Sequence, residues 1–158
     1  MKGHVMQQKI TPNLWFDGNA KEATDYYVSV FPNSKVITTN YYPNSTEEGL
    51  ADFQKDMAGK ELVVEFELNG LHFTAINAGS EFKFNEAVSF AISCEDQAEI
   101  DYYWEKLSSV PEAEQCGWCK DRFGLSWQVV PQTMGELMQR PNAYAKMMQM
   151  KKLVIEDF

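Results

Sequence analysis

Histidine is almost missing from this chain: there are two in 158 residues, His4 and His72. An imidazole-rich metal centre is therefore hard to assemble. Basic residues are also few, 14 Lys and Arg against 23 Asp and Glu, for a net charge of −9. That balance repels phosphate backbones and anionic membrane surfaces, so nucleic acid is not an expected partner. No apolar run approaches the ~20 residues that span a bilayer, and no membrane partner is expected. Residues 1–9 are polar and lack the apolar centre of a signal peptide, which leads to an expectation of a cytoplasmic protein. The three cysteines, Cys94, Cys116 and Cys119, do not make an even disulfide framework and are expected as free thiols. No G-x-G sequence occurs. A nucleotide-type cofactor would need a Gly-rich turn between a strand and a helix, so no cofactor is expected.

What remains is an ordinary globular composition, 44% hydrophobic and 23% charged. The length suits one domain over residues 1–158, large enough to bury a core without staples. Residues 10–16 read as a strand ending at Asp17-Gly18-Asn19, where Asn19 is placed to cap the next helix. That helix carries Ala20, Ala23, Tyr26, Tyr27 and Val30 at helical spacing and stops before Pro32-Asn33. Residues 35–42 are rich in β-branched and aromatic side chains, as a strand requires, and residues 43–59 form a long polar loop. Residues 61–68 alternate apolar and polar, Asn69-Gly70 signals a tight hairpin, and residues 71–77 supply the returning strand.

The order then repeats. Residues 88–94 read as a strand, 97–107 as a helix, 115–120 and 125–131 as strands, with one strand of the set trimmed between Leu107 and Gln115. The first βαβββ module is thus expected over 10–78 and the second over 87–131. Residues 132–158 are expected as a C-terminal helical segment, interrupted by Pro141 and carrying a Met-rich stripe that suits core or subunit-interface packing.

Specific segments carry a resemblance: Leu14-Trp15-Phe16-Asp17-Gly18-Asn19-Ala20 with Tyr26-Tyr27, Phe82-Lys83-Phe84-Asn85-Glu86-Ala87, Gln115-Cys116-Gly117-Trp118, and the run from Asp121-Arg122-Phe123-Gly124 to Val130-Pro131. Over residues 10–131 the chain resembles the PhnB-like family, also described as 3-demethylubiquinone-9 3-methyltransferase-like, of the glyoxalase, bleomycin-resistance and dioxygenase (vicinal oxygen chelate) superfamily. The resemblance implies an α+β fold of paired βαβββ modules, forming a curved, cup-shaped mixed sheet, commonly in a homodimer. The methyltransferase part of the description finds no support in the residues, for want of the Gly-rich turn.

Superfamily enzymes hold a divalent metal with His and Glu side chains from strands of both halves. The resemblance places their last-strand Glu at the position of Gln128, and a neutral amide is a poor ligand for a dication. A metal set built from His72 with Glu65 or Glu67 is the alternative, and His4 reads as a surface residue. Strand alternation sets Leu14, Phe16, Phe66, Leu68, Val88, Phe90 and Ile92 toward the helices. It leaves Asn13, Trp15, Thr74, Ser89, Ser93, Ser126 and Gln128 on the opposite faces, joined by Cys116 and Trp118. That neutral polar lining suits a small organic ligand. Cys116 and Cys119 look like a C-x-x-C pair, but on one strand they would lie ~10 Å apart and point to opposite faces, too far for a disulfide. Asp17, Asn85, Glu86 and Asp121 fall at turns, where such side chains fix the backbone. Three functions fit these features: a metal-free protein binding or transforming a small molecule, a metal-dependent lyase, isomerase or dioxygenase, and a drug-sequestering dimer without catalysis.

Overall fold

The structure, a computed structural model, describes residues 8–158; His4 lies outside the described residues. The chain divides into two compact units, with the boundary between Lys83 and Phe84. The fold is mixed α+β, with two mixed sheets.

In the first unit β1 (Asn13–Asp17), α1 (Ala20–Val30), β2 (Lys35–Tyr41), β3 (Glu61–Leu68) and β4 (Leu71–Ala78) follow one another. The sheet order is β1-β4-β3-β2, with β1 parallel to β4 and the other pairs antiparallel. This is the βαβββ module expected from the sequence. Asn69 and Gly70 both take positive φ, 47° and 86°, which is what a two-residue type I′ hairpin demands. Leu14, Phe16, Val64, Phe66, Leu68, Phe73 and Ala75 are buried on one sheet face, and α1 buries Ala23, Tyr27 and Val30. Phe66 stacks between Tyr27 and Phe73, with ring centroids 6.5 and 5.3 Å away. Each such ring contributes roughly 1.5–3 kcal/mol by leaving water.

Asn19 does not cap α1, contrary to expectation. Its φ/ψ of −115° and 24° lies outside the extended region from which a cap side chain reaches forward. Asn77 of β4 does this instead, accepting a hydrogen bond from Ala20 N. The loop 43–59 holds two 3-10 turns, Thr46–Glu48 and Asp52–Met57. It is closed at its base by Tyr42 N donating to Lys60 O and Gly59 N to Pro43 O. Leu50 is buried and anchors its middle.

The second unit carries β5 (Ser89–Cys94), α2 (Gln97–Leu107), β6 (Trp118–Lys120) and β7 (Ser126–Pro131), in the sheet order β5-β7-β6. The parallel β5–β7 pair and the antiparallel β7–β6 pair repeat the β1-β4-β3 arrangement. Among the described residues the counterpart of β2 is reduced to a single bridge between Gln115 and Trp118. Helix α2 has the expected bounds: Asp96 accepts from Glu99 N, and Glu99 reaches back to Glu95 N, a reciprocal cap.

The second unit departs from the expected strands at two places. Residues 115–120 are not one strand, because Cys116 and Gly117 have φ of 40° and 88° and reverse the chain in a tight turn. Val88 does not face a helix; it precedes β5 and is exposed. The segment 132–158 is also less helical than its pattern suggests. It forms two short helices, α3 (Met134–Leu137) and α4 (Ala143–Met148), and a 3-10 turn at Ile155–Asp157. Leu137, Ala143, Leu153 and Phe158 make its core, and Met134, Met138, Met147 and Met150 pack on it. Most of the Met stripe therefore serves this chain's own core.

Candidate functional site

Each sheet has one face turned to helices and one bearing the polar residues singled out above. In the first unit, register sets Asn13 beside Thr74 and Thr74 beside Glu65. Trp15 lies on the same face, two residues along from Asn13. Its indole N–H is already used, donating to Gly79 O at 2.9 Å, while its ring meets Phe82 edge-on at 4.8 Å. Asn13 donates to Thr11 O.

His72 and Glu67 are cross-strand partners on this face, and Glu65 accepts a hydrogen bond from Thr38 Oγ1 at 2.8 Å. Among the described residues, no three His, Cys, Asp or Glu side chains come together to hold a metal ion. The set of His72, Glu65 and Glu67 therefore shares a face without forming a metal centre. The backbone of His72 is clamped by Gln8, whose amide accepts from His72 N and donates to His72 O. The Gln8 side chain thus pairs with β4 as a backbone peptide would.

In the second unit, Ser89, Ser126 and Lys120 form one cross-strand row over β5, β7 and β6, and Ala91, Gln128 and Trp118 form the next. Gln128 Nε2 donates to Ser89 Oγ at 2.9 Å. Ser89, Trp118, Ser126 and Gln128 are thus brought to one face. Cys116 is not among them on the strand. It sits in the tight turn, with its N–H donating to Met150 O at 2.8 Å and its sulfur 3.8 Å from Met148 Sδ.

Lys120 was missed by the sequence reading, although its spacing of two from Trp118 places it on the same face. It pairs with Glu86; the hydrogen bond from this ammonium, then a backbone hydrogen bond at Glu86 and then the ammonium's charge, lower the pKa of the Glu86 carboxyl. The buried Asp121 organises the β6–β7 turn. It accepts from Phe123 N at 2.8 Å, Leu125 N at 3.1 Å and Trp127 Nε1 at 2.8 Å. Asn85 accepts from Ala87 N in the same local manner. Burial pushes the thiols of Cys94 and Cys119 up to about 12, which removes both as nucleophiles near neutrality.

The divalent metal that the resemblance implies does not fit these residues. The position where a carboxylate would bind it is an amide committed to a serine hydroxyl. A methyl-donor cofactor fits no better: the strand-to-helix links are Gly18-Asn19 and Glu95-Asp96, neither of them the Gly-rich phosphate cradle of a nucleotide site.

The family model described as 3-demethylubiquinone-9 3-methyltransferase matches residues 8–130. Among solved structures, the PhnB protein of Bacillus cereus is 32% identical, with a TM-score of 0.62 over 78% of this chain and 99% of that one. A protein of Pseudomonas aeruginosa, 18% identical, has a TM-score of 0.60 over 80% of this chain and 98% of its own. The second likeness is one of fold. No curated protein matches the sequence. The chain belongs to the 3-demethylubiquinone-9 3-methyltransferase (PhnB-like) family. Among the described residues no helix is long and apolar enough to cross a membrane.

Proposed function

We propose that this PhnB-like protein works without a metal and binds or transforms a small organic molecule on the polar faces of its sheets. The hydrogen bond from Gln128 to Ser89 carries this reading. It fixes a neutral amide and a hydroxyl side by side, with Trp118 as the cross-strand neighbour of Gln128. Amide, hydroxyl and indole recognise a flat, polar organic body by hydrogen bonding and stacking. On the first unit, Asn13, Trp15 and Thr74 offer the same kind of surface.

Of the two metal-free readings, binding is favoured over catalysis. Among the described residues, Lys120 on the second face is engaged by the Glu86 carboxylate, so the pair is committed to each other rather than poised for proton transfer. A ligand screen by saturation-transfer NMR tests the reading, with Gln128→Ala and Ser89→Ala as probes. Hits should weaken about fivefold or more in both variants, since each loses a polar partner. Hits indifferent to both substitutions would overturn it.

The working form is proposed to be a cytoplasmic homodimer. Tyr144 and Met148 remain exposed on the C-terminal segment and supply adaptable apolar area for an interface. Light scattering should give the mass of a dimer; a monomer at tens of micromolar would remove this part.

A further inference from the structure

The polar face of the second sheet contains one hydroxyl that no side chain or backbone group among the described residues serves. Ser126 is 1% exposed, and among the described residues its Oγ has no hydrogen-bond partner. A buried hydroxyl in that state costs about 1–3 kcal/mol, so such groups are kept where something else completes them. Its cross-strand neighbours on the same face are Ser89 on one side and Lys120 on the other. The Ser89 hydroxyl already accepts from Gln128. The Lys120 side chain is only 24% exposed, and its partner Glu86 is 61% exposed, at the edge of the arrangement. An ammonium has three donors, and one of them serves Glu86.

We infer that this face binds a small aromatic carboxylate, with its carboxyl group taken by Lys120 and Ser126 and its ring lying toward Gln128 and Trp118. The inference rests on the reading that the face holds a small organic molecule, and adds the class of that molecule. A neutral ligand would satisfy Ser126 and leave the half-buried ammonium without a gain. An anionic oxygen serves both, because charge-assisted hydrogen bonds are about twice as strong as neutral ones. The geometry sets the size. Lys120 and Ser126 form one row, Trp118 and Gln128 the next, two residues along the strands, which is about 6–7 Å. That distance suits a single ring joined directly to its carboxyl group. Glu86 does not oppose this, since its side chain is the more exposed of the pair and an ammonium has two further donors.

The test uses benzoate and its neutral analogue benzamide, titrated separately into the full chain and followed by protein-observed NMR. Benzoate should bind at least about tenfold more tightly than benzamide. Lys120→Met should bring benzoate to the level of benzamide and leave benzamide within about twofold. Lys120→Gln serves as a second variant should the methionine disturb folding, and Lys120→Arg should keep the preference. Ser126→Ala should weaken both probes, since either can accept the hydroxyl proton. Equal binding of the two probes, or a preference that survives both Lys120→Met and Lys120→Gln, would overturn the carboxylate assignment and leave the small-molecule reading standing. Absence of any binding of either probe at this face would overturn both.

Discussion

The side-chain oxygen of Asn77, near the end of β4, accepts the hydrogen bond of Ala20 N at 3.0 Å and so caps helix α1 from across the sheet. The same amide donates to Glu61 O at 2.9 Å, and the backbone O of Asn77 accepts from Tyr42 OH at 2.6 Å. One buried residue thereby ties α1, β3 and the start of the 43–59 loop together. Asn77→Ala should cost about 2–3 kcal/mol, because it leaves a helix donor and a strand acceptor unmet away from water. Urea unfolding would show it, and a loss under about 0.5 kcal/mol would mean that the cap is dispensable.

Asp121 holds its turn with a carboxylate rather than an amide for a reason. Three groups that it meets, Phe123 N, Leu125 N and Trp127 Nε1, are donors. Asp121→Asn turns an acceptor into an N–H facing another N–H. We expect a loss of about 1–3 kcal/mol, together with a change in Trp127 fluorescence in the folded state. Full stability in Asp121→Asn would show that this network does not hold the turn.

The thiols should separate cleanly by accessibility. Cys116 is partly exposed, whereas Cys94 and Cys119 are buried. In native protein near pH 8, iodoacetamide should label Cys116, with the other two reacting only after unfolding. Burial holds the latter pair protonated up to about 12, against 9.0 for a free thiol. The unfolded chain would ionise first. Stability contributed by the neutral thiols is therefore complete below about pH 9 and falls as pH rises toward about 12. Cys94→Ala/Cys119→Ala protein should lose less stability over that interval than the parent; an identical alkaline decline would refute the assignment. No bridge between Cys116 and Cys119 is expected under mild oxidation, and mass mapping checks it.

Protein purified without chelators should carry less than about one tenth of an equivalent of zinc, nickel, manganese or iron, given an amide at the ligand position and a lone histidine among the described residues. Elemental analysis decides this. Stoichiometric metal that is lost in His72→Ala would restore the set of His72 with Glu65 or Glu67.

Deleting residues 141–158 should loosen the second unit itself. The deletion removes Ala143, Leu153 and Phe158 from their cluster, and it breaks the hydrogen bonds from Cys116 N and Gly117 N to Met150 O and Lys151 O. Amide exchange should speed up in β6 and β7 while β3 and β4 keep their protection. Unchanged exchange in β6 and β7 would show the segment to be an accessory.

The sequence by itself determined the periodic parts: Glu61–Leu68 and Gln97–Leu107 have the bounds their patterns imply, because alternation and amphipathic spacing are local properties written into consecutive residues. It also determined the face on which Ser89, Ser126 and Gln128 project, since strand geometry alternates side chains without reference to anything distant. Only the tertiary structure decided what those residues touch. Asn19 has the right chemistry and position for a cap, yet Asn77, 57 residues beyond Ala20, makes the bond, a pairing set by parallel registry of β1 with β4. Cys116-Gly117 reads as strand because Trp and Cys surround it, but two positive φ angles turn the chain there, held by hydrogen bonds from the C-terminal segment. The helical pattern of residues 132–158 yielded to packing for the same reason: burying Leu153 and Phe158 gains more than continuing a helix past Pro141. The row of Ser89, Ser126 and Lys120 exists only once β5 lies beside the β6–β7 pair, which follows α2 in the chain.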